Sequence, residues 1–114
     1  QLKFYLRAVV NAILDHEMHA GTFTDEQAMN LLMNTAFQSE AEAAGKVIRA
    51  KLSSCQLSTY FVGRLAFHRL RQTIQREQGD QFDLGRYHEA VLDHGTIAVK
   101  FLPDLVRQRL ARPR

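Results

Sequence analysis

Apolar positions recur at helical spacing along almost the whole chain, and no alternating run of useful length appears. Leu2, Leu6, Val9, Ile13 and Glu17 share one side of the first segment. Val10, Leu14 and Met18 widen that surface, so a helix from about Leu2 to His19 is expected to be buried on more than one side. Gly21 is its natural stop. Thr24 to Gln27 and Ser39 to Glu42 spell capping boxes. The first opens a helix with Ala28, Leu31, Leu32 and Thr35 inward. The second opens a helix to about Lys51 with Ala43, Ala44, Val47 and Ile48 inward. Gly45 costs that helix about 1 kcal/mol relative to alanine, which a close helix contact would justify. Ser53 and Gln56 read as a third box, starting the longest helix at about Ser54 and running to Gln78. Lys51 to Arg71 is its most apolar stretch, and the other helices are expected to pack around it. Asp83 caps a fifth helix to about Asp93, with Phe82 and Tyr87 as a hydrophobic staple. Thr96 can cap a last helix to about Leu110, which Pro103 kinks or restarts. The pattern predicts an all-α fold of about six helices in a compact array.

Composition narrows the classes. A length of 114 residues suits one small domain, and an apolar share of 46% can fill a core. Cys55 stands alone, which excludes an internal disulfide and a cysteine-based zinc site. In a helical segment it reads as a small packed hydrophobe. The net charge of +3 lies mainly in Arg64, Arg69, Arg71, Arg76, Arg107, Arg109, Arg112 and Arg114, without the density of a nucleic-acid arm. No apolar stretch reaches the roughly 18 residues of a membrane span, and no basic-then-apolar leader opens the chain. Gln1 is not an initiator and no capping residue precedes the first helix, so a larger parent protein is expected.

The candidate chemistry is sparse. His16-Glu17-Met18-His19 is one residue short of HExxH, in which histidines four apart reach one metal from one helical face. Here they are three apart, and zinc would need a third ligand, for which His88 and His94 are the candidates. Asp15 and His19 are four apart, so the carboxylate could orient the imidazole, but the pair reads first as an ordinary local helix pair. Ser53, Ser54 and Ser58 read as cap and surface residues. Arg64, His68 and Arg71 read as a solvated stripe. Spacing alone puts Tyr60 in the core; in a cleft its hydroxyl could instead donate to a developing oxyanion.

The segments LRAVVNAILDHEMHAGTFTDEQAMNLL, VIRAKLSSCQLSTYFVGRLAFHRLR and GDQFDLGRYHEAVLDHG, in that order, resemble the C-terminal part of the bacterial domain of unknown function 885 family. The most specific pieces are Asp15 with His19, Gln56 with Tyr60 and Gly63, and Phe82-Asp83 with His88 and Gly95. Members of that family resemble large, mostly helical zinc metallopeptidases of the gluzincin type. Their HExxH helix and downstream glutamate precede the matched region. The resemblance therefore implies zinc in the parent protein, no metal ligand and no cofactor in this chain, and no hydrolysis by the chain alone. It implies a peptide-like substrate, with Tyr60 as oxyanion donor. His19 and Arg49 would bind the substrate carbonyl or carboxylate, and Gln56 would orient one of them. Ala50 stands where many members have tyrosine, and Ser54-Cys55 where many have Pro-Gly, departures that mark a subgroup or an altered pocket.

The expected partners are the remainder of the parent protein, or a second copy through exposed apolar helix faces, with no nucleic acid. The sequence leaves the compartment open between bacterial cytoplasm and periplasm. The alternative is a self-standing, non-catalytic helical module for protein interaction. An upstream HExxH would favour the enzyme, and a reading frame starting near Gln1 the module.

Overall fold

The computed structural model describes residues 1–112, so Arg114 of the basic set lies outside them. These residues form six α-helices: α1 Leu2–His19, α2 Asp25–Asn30, α3 Glu40–Leu52, α4 Thr59–Gln78, α5 Leu84–Leu92 and α6 Leu102–Leu110. A π-helical turn, Leu31–Thr35, extends α2, and no strand occurs among the described residues. None of these helices is long and apolar enough to cross a membrane. The fold is all-α. Its contacts gather into two compact units, Gln1–Val62 and Gly63 onward.

The first unit is built on α1, α2 and α3. Leu14 and Leu32 are fully buried, with Val10, Ala28, Ala43, Val47 and Ala50 around them. Burying one such leucine contributes roughly 1.5–3 kcal/mol. Both capping boxes close. Thr24 Oγ1 accepts from the Gln27 amide at 3.3 Å, and the Gln27 side chain accepts from the Thr24 amide at 2.9 Å. Ser39 and Glu42 repeat the exchange at 3.4 Å each way. Arg7 meets Glu42 near the starts of α1 and α3, and His19, the last residue of α1, meets Ser53, the residue that follows α3. The two helices therefore run side by side in the same direction.

Several expectations are corrected here. The inward face of α3 is Ala43, Val47 and Ala50; Ala44 is exposed and Ile48 is 61% exposed. Thr35 is exposed as well. A side chain at Gly45 would meet nothing within 4 Å, so no close helix contact explains that glycine. The Ser53 box does not form, and α4 begins at Thr59. Ser53 Oγ instead donates to the Arg49 carbonyl at 3.3 Å, and Cys55 takes φ 61°, which a right-handed helix cannot contain. Cys55 is exposed rather than packed. Nor is α4 the hub: its buried residues are Leu70 and Ile74, while Tyr60, Val62 and Phe67 are exposed.

In the second unit Leu70 and Ile74 of α4 pack with Tyr87 and Ala90 of α5 and Leu102 and Val106 of α6. Asp83 caps α5 by accepting from the Arg86 amide at 2.9 Å, and the Phe82 and Tyr87 rings lie 6.0 Å apart, as the staple requires. Thr96 does not cap the last helix. A short 3₁₀ turn, Val99–Phe101, leads into α6, and Pro103 sits in its first turn, where the missing N–H forfeits no helical bond. Arg107 grips Glu77 through Nε and Nη2 at 2.8–3.2 Å. Arg86 donates to the Leu110 and Arg112 carbonyls, closing the end of α6.

Candidate functional site

Asp15 lies on α1 beside Leu14 and is only 2% exposed. A carboxylate so buried needs donors, and the segment joining α3 to α4 supplies them. The Cys55 amide donates to Oδ1 at 3.2 Å. The Ser58 amide and hydroxyl donate to Oδ2 at 3.2 and 2.8 Å. This clasp holds residues 53–58 against α1 and accommodates the left-handed turn at Cys55.

His19, one turn beyond Asp15, completes the clasp. Its Nε2 lies 2.8 Å from the Ser53 carbonyl and 3.3 Å from Asp15 Oδ1. Both neighbours are acceptors, so Nε2 carries the hydrogen, and Nδ1 is the acceptor of the neutral ring. Arg49 and Gln56 join the same group, with Arg49 Nη2 donating to Gln56 Oε1 at 3.3 Å. The Gln56 carbonyl accepts from Thr59 Oγ1 at 2.7 Å, which fixes the entry to α4. Of the four residues to which the resemblance gives a site role, three, His19, Arg49 and Gln56, are thus joined through this segment.

Tyr60 stands apart from that bonding. It is not a core residue but is 77% exposed in the first turn of α4, and its hydroxyl has no hydrogen-bond partner among the described residues. A side chain at Gly63 would meet nothing within 4 Å, so packing does not demand glycine there.

The histidine motif does not assemble a metal centre. His16 Nε2 is 3.9 Å from Glu17, and Glu17 accepts from the Thr22 hydroxyl. The His88 ring packs on Tyr87 at 5.6 Å. Among the described residues no three His, Cys, Asp or Glu side chains gather to hold a metal.

Sequence reasoning missed Ser58 and the long-range role of Asp15. It also missed Arg7 and Lys46. The available signal was the spacing Arg7, Asn11, Asp15, a polar stripe at every fourth residue of an otherwise apolar helix. Lys46 is held below the ordinary lysine value by its burial first and by the nearby Arg7 charge second.

A family model described as a bacterial protein of unknown function (DUF885) matches residues 1–106. No curated protein matches the chain. A solved structure of a candidate lipoprotein of unknown function from Shewanella oneidensis is similar at 40% identity with a TM-score of 0.87. The match covers 92% of this chain and 19% of that one. The chain therefore spans about a fifth of the length of that relative.

Proposed function

Because the chain belongs to the DUF885 family of bacterial proteins, we propose that it is the C-terminal helical part of a longer zinc-dependent peptidase or related hydrolase, one that supplies substrate-facing residues and not the metal site. The observation that carries this reading is the Asp15 clasp, which gathers His19, Arg49 and Gln56 on the segment leading directly to Tyr60. The short span of the relative covered by this chain supports a larger parent.

Among the described residues no three His, Cys, Asp or Glu side chains gather to hold a metal, and in this reading the zinc is held by another part of the parent. What this chain contributes is hydrogen bonding. Tyr60 has an exposed hydroxyl with no internal partner, free to donate to an oxyanion on a peptide-like substrate. Arg49 has donors beyond the one used on Gln56, and these suit a substrate carbonyl or carboxylate. Gln56 sets the direction of the guanidinium. His19, fixed by Asp15 and Ser53, presents Nδ1 or, when protonated, a second N–H. Alone, without the metal-bearing part, the chain is inactive.

Tyr60→Phe in the full-length protein tests the assignment. Loss of one oxyanion donor lowers turnover about 10²–10³-fold. Unchanged cleavage of a peptide that the parent hydrolyses would remove Tyr60 from the mechanism.

The second reading, a non-catalytic interaction module, is favoured by large exposed apolar side chains such as Leu2, Leu52 and Tyr60. It predicts a parent whose biological role survives replacement of any HExxH glutamate it carries.

A further inference from the structure

Cations line the seam between α1 and α3 in excess of the carboxylates there. Glu42, Lys46 and Arg49 stand at positions i, i+4 and i+7 of α3. Arg7 of α1 joins this row through its 3.1 Å ion pair with Glu42. The same Glu42 carboxylate also accepts from the Ser39 amide at 3.4 Å, so it is shared with a helix cap. Among the described residues Lys46 makes no ion pair, and Arg49 meets the neutral Gln56 side chain. On the α1 side of this row a buried donor, Nε of Arg7, has no hydrogen-bond partner among the described residues.

Gathering like charges and partly removing them from water is unfavourable unless an anion completes the group. The ammonium of Lys46 registers that strain, being held below its ordinary value by burial, by Arg7 and by Arg49, against the opposing pull of Glu42. We propose that Arg7, Lys46 and Arg49 form a carboxylate-binding subsite, which, resting on the peptidase reading above, anchors the free C-terminal carboxylate of a peptide substrate. The link from Arg49 through Gln56 to the segment before Tyr60 puts this anchor in the same bonded group as the residues assigned to the substrate. Guanidinium groups match the planar, two-oxygen geometry of a carboxylate.

The test uses the 114-residue chain and follows the Lys46 ammonium by lysine side-chain NMR at constant ionic strength. N-acetylglycine, N-acetylglycinamide and inorganic phosphate are the probes. N-acetylglycine is expected to raise the Lys46 titration point and to saturate, whereas the neutral amide does neither. Arg49→Gln, which keeps the Lys46 reporter, is expected to weaken N-acetylglycine binding about tenfold. Lys46→Met, followed through backbone amides, is expected to do the same. The proposal is overturned if N-acetylglycine gives no saturable shift, if the amide matches the acid, or if phosphate saturates the site and N-acetylglycine does not.

This readout needs no turnover. Saturable N-acetylglycine binding with an inert parent would keep the carboxylate site and discard the peptidase reading. Turnover in the parent that is equal for free-acid and amidated peptides would discard the anchor and keep the peptidase.

Discussion

Asp15 ties α1 to the segment that leads into α4. It receives two backbone amides and one hydroxyl from residues forty and more positions away, at 2 % exposure. Asp15→Ala would leave the Cys55 and Ser58 amides without their acceptor. Losing bonds to a buried charge is expected to lower stability by about 3 kcal/mol, read as a shift in the urea midpoint at constant slope. Asp15→Asn keeps the shape and one acceptor oxygen and should fall between. If both variants unfold with the parent chain, the clasp carries no stability. A second residue-scale prediction concerns Cys55, whose φ of 61° is a conformation that glycine reaches readily. Cys55→Gly should raise stability by roughly 0.5–1 kcal/mol, because the left-handed conformation disfavours a side chain by about 1–2 kcal/mol. The sequence shows why this loop was misread. The Ser53 to Gln56 spacing satisfies a capping box locally, but spacing carries no information about a carboxylate brought in from α1. The charge-assisted bonds to Asp15 are stronger than a neutral cap, and they set the backbone of 55–58 instead.

Among the elements, those with strong local chemistry were the legible ones. The boxes at Thr24 and Ser39 and the cap at Asp83 close as the residue types dictate. The face of α3 was less legible because its sequence, EAEAAGKVIRAKL, offers alanines on several sides. With so little contrast in size, packing against α1 and α2 chooses Ala43, Val47 and Ala50, and Ile48 is left outside. In the second unit α4 and α6 are tied by Glu77 and Arg107. The hydrogen bond from Arg107, more than its charge alone, holds the Glu77 carboxyl below the ordinary glutamate value of 4.5. A folded-state pKa below the unfolded one means that the folded chain binds fewer protons across that interval. The stabilisation is therefore present above about pH 4.5 and is lost as pH falls through the lowered folded value. Glu77→Gln should remove that part of the acid dependence. Thermal unfolding of the two proteins should differ most near neutrality and converge in acid. A constant gap across the range would show that the pair's contribution does not come from ionisation.

At the scale of the whole chain, the fold class was legible, but the hub was not. The length and apolarity of Lys51–Arg71 pointed to a central helix, yet the two cores centre on Leu14 with Leu32 and on Ile74 with Val106. Hydropathy measures how apolar a segment is, not whether a neighbour covers it. The uncovered residues then become informative. In the first unit Leu2, Phe4, Ile48 and Leu52 are all largely exposed, Leu52 at 81%. Apolar side chains left in water in such number favour association. A net charge of +3 supplies little repulsion to oppose it. The 114-residue chain is therefore expected to show an apparent mass in sedimentation velocity that rises with concentration. Ile48 and Leu52 are one turn apart on α3, so Ile48→Glu with Leu52→Glu places two like charges on one exposed face. That pair should shift the chain toward monomer while changing its stability by no more than about 1 kcal/mol, since neither residue belongs to the core. A wild-type monomer that persists on concentration would show that these side chains do not drive self-association. A charged pair that associates as strongly as wild type would move the contact away from α3.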